Sequence, residues 1–226
     1  SLADTQLNGL TSLQLVGLAN TQLNGMRSMQ LTSLADTQLN GLTSNQLATF
    51  TPTQAVGLTT TQIDGLAGTQ LLGLYMSSGQ VSSLANTQLD DLTAAQLATW
   101  TDSQIDGLTS MQMTGLANTQ LDALRSSQLS GLANTQLQGL QSWQLAGLAD
   151  TQLDGLASNQ IAALTTTQLI GLRSAQLTGL TTTQMNGFNT TQLSAFTTTQ
   201  VDGLSSTQVT GLSTTQMRGF NTTLLD

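Results

Sequence analysis

"TTTQLIGLRSAQLTGLTTTQMNGF", residues 165–188, is one eight-residue phrase written three times. If each phrase is numbered so that Gln is place 4, the first copy sets Gln168 before apolar Leu169 and Leu172, at places 5 and 8. The next two copies repeat this with Gln176, Leu177 and Leu180, then with Gln184, Met185 and Phe188. Followed outward, the phrase begins at Ala3, keeps its register to Leu74, skips Tyr75-Met76, and runs from Ser77 to Phe220. That makes 27 complete octads, a two-residue insertion at 75–76, and a frayed terminal copy at 221–226 with Leu224 where Gln is due. Self-similarity at a fixed short period is the mark of a repeat architecture, so 1–226 reads as a single octapeptide-repeat solenoid.

The octads alternate. Odd-numbered copies hold Thr or Ser at place 3 (Thr5, Thr21, Thr37, Thr119, Thr135, Thr151) and favour Asn-Gly or Asp-Gly at places 6 and 7. Even copies admit Leu13, Met29, Met111 and Trp143 at place 3. Ten of the eleven Asp residues within complete octads lie in odd copies, and three of the four Arg residues lie in even ones. The sequence unit is therefore sixteen residues, which suggests a coil with two sides, one built by each octad type.

Places 5 and 8 are three apart and share a face of one short helix. A continuous helix fails, because at 3.6 residues per turn each octad rotates the apolar pair by about 80° and no stripe persists. Each octad must bend. Place 2 is rich in helix-capping residues (Asp4, Ser12, Asn20, Ser28, Asp36, Ser44), which favours a cap there. A second register puts the cap at place 1, giving the capping-box spacing to the Gln, and Pro52 at the first helical position suits it. Place 5 is mostly Leu or Met, whereas strands favour β-branched residues. Place 7 is small, but Thr49 and Thr99 there argue for close backbone approach over an obligatory left-handed turn. The expected fold is all-α: a solenoid of very short capped helices, two octads (16 residues) per coil. The alternative is a β-solenoid with 16-residue rungs.

Every complete octad keeps its Gln, and the chain has no Glu at all. A carboxamide offers an acceptor and two donors, enough to tie a corner to its own or a neighbouring coil. Repeating Glu instead would align like charges and add the cost of burying them. The column Gln6, Gln14, Gln22, Gln30, Gln38, Gln120, Gln168, Gln176 and Gln184 is thus expected to be structural.

Composition removes several functions. The chain lacks Cys, His, Lys and Glu and carries a net charge of −8. Disulfides and thiolate metal sites are impossible, and nucleic acid and anionic membranes reward the basic residues that are missing. No apolar run approaches the ~18 residues of a membrane span, and no signal-peptide pattern opens the chain. The usual acid–base and nucleophilic set is reduced to Asp, Ser, Thr and Tyr75, so neither an enzyme nor a cofactor is expected. Asp90-Asp91 reads as a solvated corner, and Asp106, Asp122 and Asp154, with Gln138 interrupting, as a hydrated edge.

"LTTTQLIGL" (164–172) and "LTTTQMNGF" (180–188) resemble the LTTxQ-apolar-x-x-L octad arrays of large, acidic, Cys-free bacterial proteins, many of them secreted surface proteins. The likeness covers essentially the whole chain and implies an exported, adhesin-like or spacer segment at the cell surface or outside the cell. It supplies no ligand, and the GGxGxD calcium nonapeptide is absent. The leading expectation is a rigid rod or superhelical spacer, stacking end to end with further repeats or with itself. The alternative is an array-type binding surface, for ice or carbohydrate, on the odd-octad Thr column. The Tyr75-Met76 insertion is expected to bulge passively from a corner, with the helix starts at Thr69 and Gly79 keeping equivalent orientations.

Overall fold

The computed structural model describes residues 7, 9–71 and 74–220. They belong to two compact units, Ser1–Leu108 and Thr109–Asp226. In each unit the octads fold as a solenoid of very short helices. Among the described residues there are 25 α-helices of four to six residues, one 3-10 helix (Gly68–Leu71) and no strand.

One octad shows how the phrase folds. In residues 165–172 the helix is Thr166–Ile170, the N-cap is Thr165, and Thr165 Oγ1 accepts from the Gln168 N–H. Gly171 closes the helix with right-handed backbone angles (φ −75, ψ −18). Place 8 and the next place 1 are extended and make the corner, as at Leu180 (ψ 138) and Thr181 (ψ 159). Places 5 and 8 enter the core: Leu169 and Leu177 are fully buried, and Leu172 and Leu180 nearly so. Place 8 side chains of successive octads meet, since the rings of Phe188 and Phe196 pack edge to face at 5.3 Å. Place 3 points outward, which leaves Leu13, Met29, Met111 and Trp143 exposed.

The cap sits at place 1, not at the favoured place 2. The reason is that the Gln does most of the capping. Where place 1 is Ala or Arg, with no side-chain acceptor, Gln Oε1 still accepts from the place 1 N–H, as from Ala19 (2.9 Å) and Arg173 (2.8 Å). Place 2 becomes the first helical residue, which suits Pro52.

The coil is longer than the sixteen residues expected. Helices touch those three octads away: Ser110–Gly115 packs on Asn134–Gly139, and Ser142–Gly147 on Thr166–Ile170. Gln side chains reach carbonyls four octads back, 28 to 31 residues away, as from Gln168 to Leu137 and Leu140. One turn therefore takes between three and four octads.

This offset also explains the sequence doubling, because an octad and its neighbour three places on always differ in parity. The Gly of an odd octad lies against the Ser at place 2 of an even one. A Cβ added at Gly41, Gly57 or Gly171 would fall 2.6–2.7 Å from the Cβ of Ser12, Ser28 or Ser142. Several even-octad glycines meet side-chain ends of an odd octad instead, such as Asn40 at Gly65 (3.3 Å) and Asp154 at Gly179 (3.1 Å). The close odd-on-even contact is further tied by hydrogen bonds from Thr32 Oγ1 to Gly57 O (2.6 Å) and from Thr178 Oγ1 to Gly203 O (2.7 Å).

Candidate functional site

The glutamine ladder is the most regular chemical feature of both units. A helix leaves its first N–H groups and last carbonyls without partners, and an eight-residue repeat creates such ends at every corner. The place 8 carbonyl is hardest to satisfy, since it lies in extended chain packed against the next turn. Gln160 shows the solution. Its Oε1 accepts from Ala157 N–H (2.8 Å), while its Nε2 donates to Leu132 O (2.8 Å), Ser130 O (3.1 Å) and Leu129 O (3.2 Å). One side chain thus joins the N-cap of its own octad to the corner of an octad four back. Glu could supply the first half of this link but not the second. The donor requirement, more than charge repulsion, keeps Glu out.

The named column divides by position. Gln30, Gln38, Gln120, Gln168, Gln176 and Gln184 are all buried. Gln38 donates to Leu7 O (3.2 Å), Gln176 to Leu145 O (3.0 Å) and Leu148 O (2.8 Å), and Gln184 to Leu156 O (2.8 Å). Gln14 and Gln22 are exposed, and each accepts only its own place 1 N–H and, at Gln14, the Thr11 hydroxyl. Gln6 and Thr5 lie outside the described residues, as does the frayed copy 221–226.

Within the second unit the odd-octad Thr residues do not form one face. Thr21, Thr37, Thr119, Thr135 and Thr151 are exposed. Successive members, however, are sixteen residues apart in coils of 24 to 32, so Thr135 lies about half a turn away from both Thr119 and Thr151. A single Thr face would require the sixteen-residue coil that the ladder overturns.

Charged groups are sparse. Arg173 donates to Ala146 O and Leu148 O (3.0 Å each) and pairs with Asp150 at 3.3 Å, so it braces the same corner as Gln176. Partial burial, and then the neighbouring Asp102, raise the Asp106 carboxyl above the usual carboxylate range. Partial burial, and then Asp150, do the same at Asp154. Among the described residues no three carboxylates gather as a metal site, and no helix is long and apolar enough to cross a membrane. Gln138, between Asp122 and Asp154 in that series, donates to Ala163 O (3.0 Å).

No family model matches this sequence, and neither does any curated protein.

The ladder breaks once, in the first unit, at the insertion. Residues 74–77 belong to no helix, Met76 is buried at 1% exposure, and only Tyr75 is substantially exposed. The expected passive bulge is therefore wrong: Met76 is a core residue, and the stretch replaces an octad. Gln80 and Gln88 bond Leu58 O (2.7 Å) and Ile63 O (3.1 Å), three octads back instead of four. Contacts between helices shorten in the same way, with Thr60–Asp64 on Ser78–Ser83 and Gly68–Leu71 on Asn86–Asp90. The two helix starts also differ, since Gly68–Leu71 is 3-10 and Ser78–Ser83 is α.

The sequence carries a matching exchange. Gly68 is the only Gly at place 2, and Asp91 stands where an odd octad usually has Gly. In the shortened turn these two residues face each other, and a Cβ at Gly68 would overlap Asp91 Cβ. The small residue has moved to the other side of the contact. That pairing was visible in the sequence as two off-pattern residues near the insertion.

Proposed function

We propose that this chain is a structural repeat segment, a rigid spacer or scaffold of a bacterial surface or extracellular protein. The observation that carries the proposal is the ladder itself. The same carboxamide link recurs from Gln144 to Gln216 with separations of 28 to 31 residues. Each link fastens one turn to the next, so bending would break hydrogen bonds along one side. A quasi-one-dimensional array of this kind grows by adding turns, each stabilised by its neighbours.

Export and surface placement rest on the resemblance to secreted octad arrays and on the Cys-free acidic composition. End-to-end continuation with further repeats is the growth that such an array allows. The Thr-array reading, for ice or carbohydrate, lacks the aligned face it needs. The test is length. Packed helices lie 8–10 Å apart, so seven added octads, about two turns, should lengthen the particle by roughly 16–20 Å. Small-angle scattering on the parent and the extended chain measures this. An increment near zero, or swelling in all dimensions, would rule out the spacer.

A further inference from the structure

The break in the ladder leaves two carboxamides without their usual work. By the regular pattern, Gln96 and Gln104 would donate to corner carbonyls of an earlier turn. Each still caps its own helix: Gln96 Oε1 accepts from Thr93 N–H (2.6 Å), and Gln104 Oε1 from Thr101 N–H (2.9 Å). Neither Nε2 donates to any described residue, although Gln104 is only 5% exposed. Gln112, in the second unit, is also buried and is not without a partner. The turn loses one octad at Tyr75-Met76, and the two unemployed glutamines belong to the last two octads of the first unit.

A cavity of about 360 Å³ opens at this point. Leu71, Leu74 and Trp100 form apolar walls, Tyr75 adds a part-exposed ring, and Gln96 and Gln104 are its carboxamides. Among the described residues that line it, none is charged. The volume falls in the range of small-molecule pockets, about 300–1,000 Å³, whose usual design is an apolar lining with a few convergent polar groups. We propose that this cavity is a binding site for a small neutral compound carrying an amide or ketone carbonyl on an apolar body. The reasoning is complementarity. Elsewhere in the chain the same Nε2 groups clasp carbonyl oxygens beside leucine side chains, so here they present the same donors to a ligand. A carboxylate ligand would enter an uncharged, partly desolvated pocket in an acidic protein, at a cost. An ammonium ligand would find no anion. This inference is independent of the spacer reading, because a passive rod and a ligand-bearing rod elongate alike.

The test uses the full chain carrying Trp143→Phe, which leaves Trp100 as the sole indole. N-cyclohexylacetamide is the probe, and cyclohexanecarboxylate the charged control. A probe of about ten heavy atoms at typical efficiencies should bind with a Kd of about 1 mM. The expected result is a saturable change in Trp100 emission, with shifts in the side-chain amide resonances of Gln96 and Gln104 and not of Gln160. Leu74→Phe, which adds bulk to the cavity from one of its buried apolar walls, should weaken binding at least tenfold. Gln104→Glu, which keeps the helix cap and removes the donor, should do likewise, and the carboxylate should not saturate. A linear response to the amide, unmoved Gln96 and Gln104 resonances, or equal binding by Leu74→Phe would each overturn the proposal. The cavity would then be a solvent-filled packing gap.

Discussion

Replacing Gln160 with Glu should destabilise the second unit, and the size of the effect can be worked out bond by bond. Gln160 is 3% exposed. The variant keeps the acceptor for Ala157 N–H but loses every donor, so Leu132 O, held at 2.8 Å, is left without its partner. Leu129 O is affected less, because it also accepts from Leu132 N–H at 3.3 Å. A buried acceptor stripped of its donor costs about 1–3 kcal/mol, and the desolvated charge adds to this, so a loss of roughly 2–4 kcal/mol is expected at neutral pH. Gln14→Glu is the control. Gln14 is exposed and does nothing beyond capping, which Glu performs equally well, so its change should stay within about 0.5 kcal/mol. Burial without a cationic partner should raise the folded-state pKa of the carboxyl introduced at 160. The penalty is then complete above that pKa and is relieved as pH falls towards the ordinary Glu value of about 4.3. Urea unfolding followed by far-UV circular dichroism, at neutral pH and near pH 4, measures both effects. If Gln160→Glu matches the parent at pH 7, or Gln14→Glu costs as much, the donor half of the link is not what holds the turns together.

Three further outcomes follow from the same geometry. Gly171→Ala should cost about 1–3 kcal/mol, because its Cβ would lie 2.6 Å from Ser142 Cβ and 2.8 Å from Ser142 O. Gly79→Ala, with nothing within 4 Å, should stabilise by about 0.5–1 kcal/mol through helix propensity; thermal melts of the pair decide this. Met76→Ala should cost about 2–5 kcal/mol, as for a buried Met, and deletion of Tyr75-Met76 should cost more; an effect below about 1 kcal/mol in denaturant unfolding would restore the passive-bulge reading. Asp106 and Asp154 have raised folded-state pKa values, so the stability they contribute is present below the unfolded value of about 3.9 and lost as pH rises through the folded ones. Melting temperature should therefore rise on acidification from neutrality, and Asp106→Asn with Asp154→Asn should flatten that slope.

Much of the local structure could be read from one octad. Apolar places 5 and 8, a small place 7 and an amide at place 4 are enough to specify a helix of about one turn with a buried face and a tethered corner. The cap position was obscured because place 1 is so often Ala, as at Ala19, Ala117 and Ala149. Ala has no acceptor, and only the geometry shows that the Gln Oε1 alone secures that N–H. The cavity at Gln96 and Gln104 had little local signal: octad 13 follows the pattern, and octad 12 departs from it only in Ala94 at place 2, Thr99 at place 7 and Trp100 at place 8. It arises from a mismatch between turns, and a mismatch of that kind is set by coil length.

Coil length is where periodicity misleads. An alternation of odd and even octads shows that unlike octads are in contact, but it does not show how far apart they are along the chain. An offset of one octad and an offset of three give the same parity, and the Gln link at four preserves it. The sixteen-residue sequence unit is thus compatible with a coil of nearly twice that length, and the structure chooses the longer. The insertion fits the same logic. Shortening one turn brings octads 9 and 11, both odd, into the contact that normally joins odd to even. Two odd octads of ordinary sequence would meet with Asp or Asn at place 2 against Gly at place 7. Here the pair is Gly68 against Asp91, with bulk and space exchanged. A tolerated accident in the repeat would leave its neighbours on pattern. The paired departure at 68 and 91 shows that the sequence has been fitted to the shortened turn, and with it to the cavity that the turn leaves open.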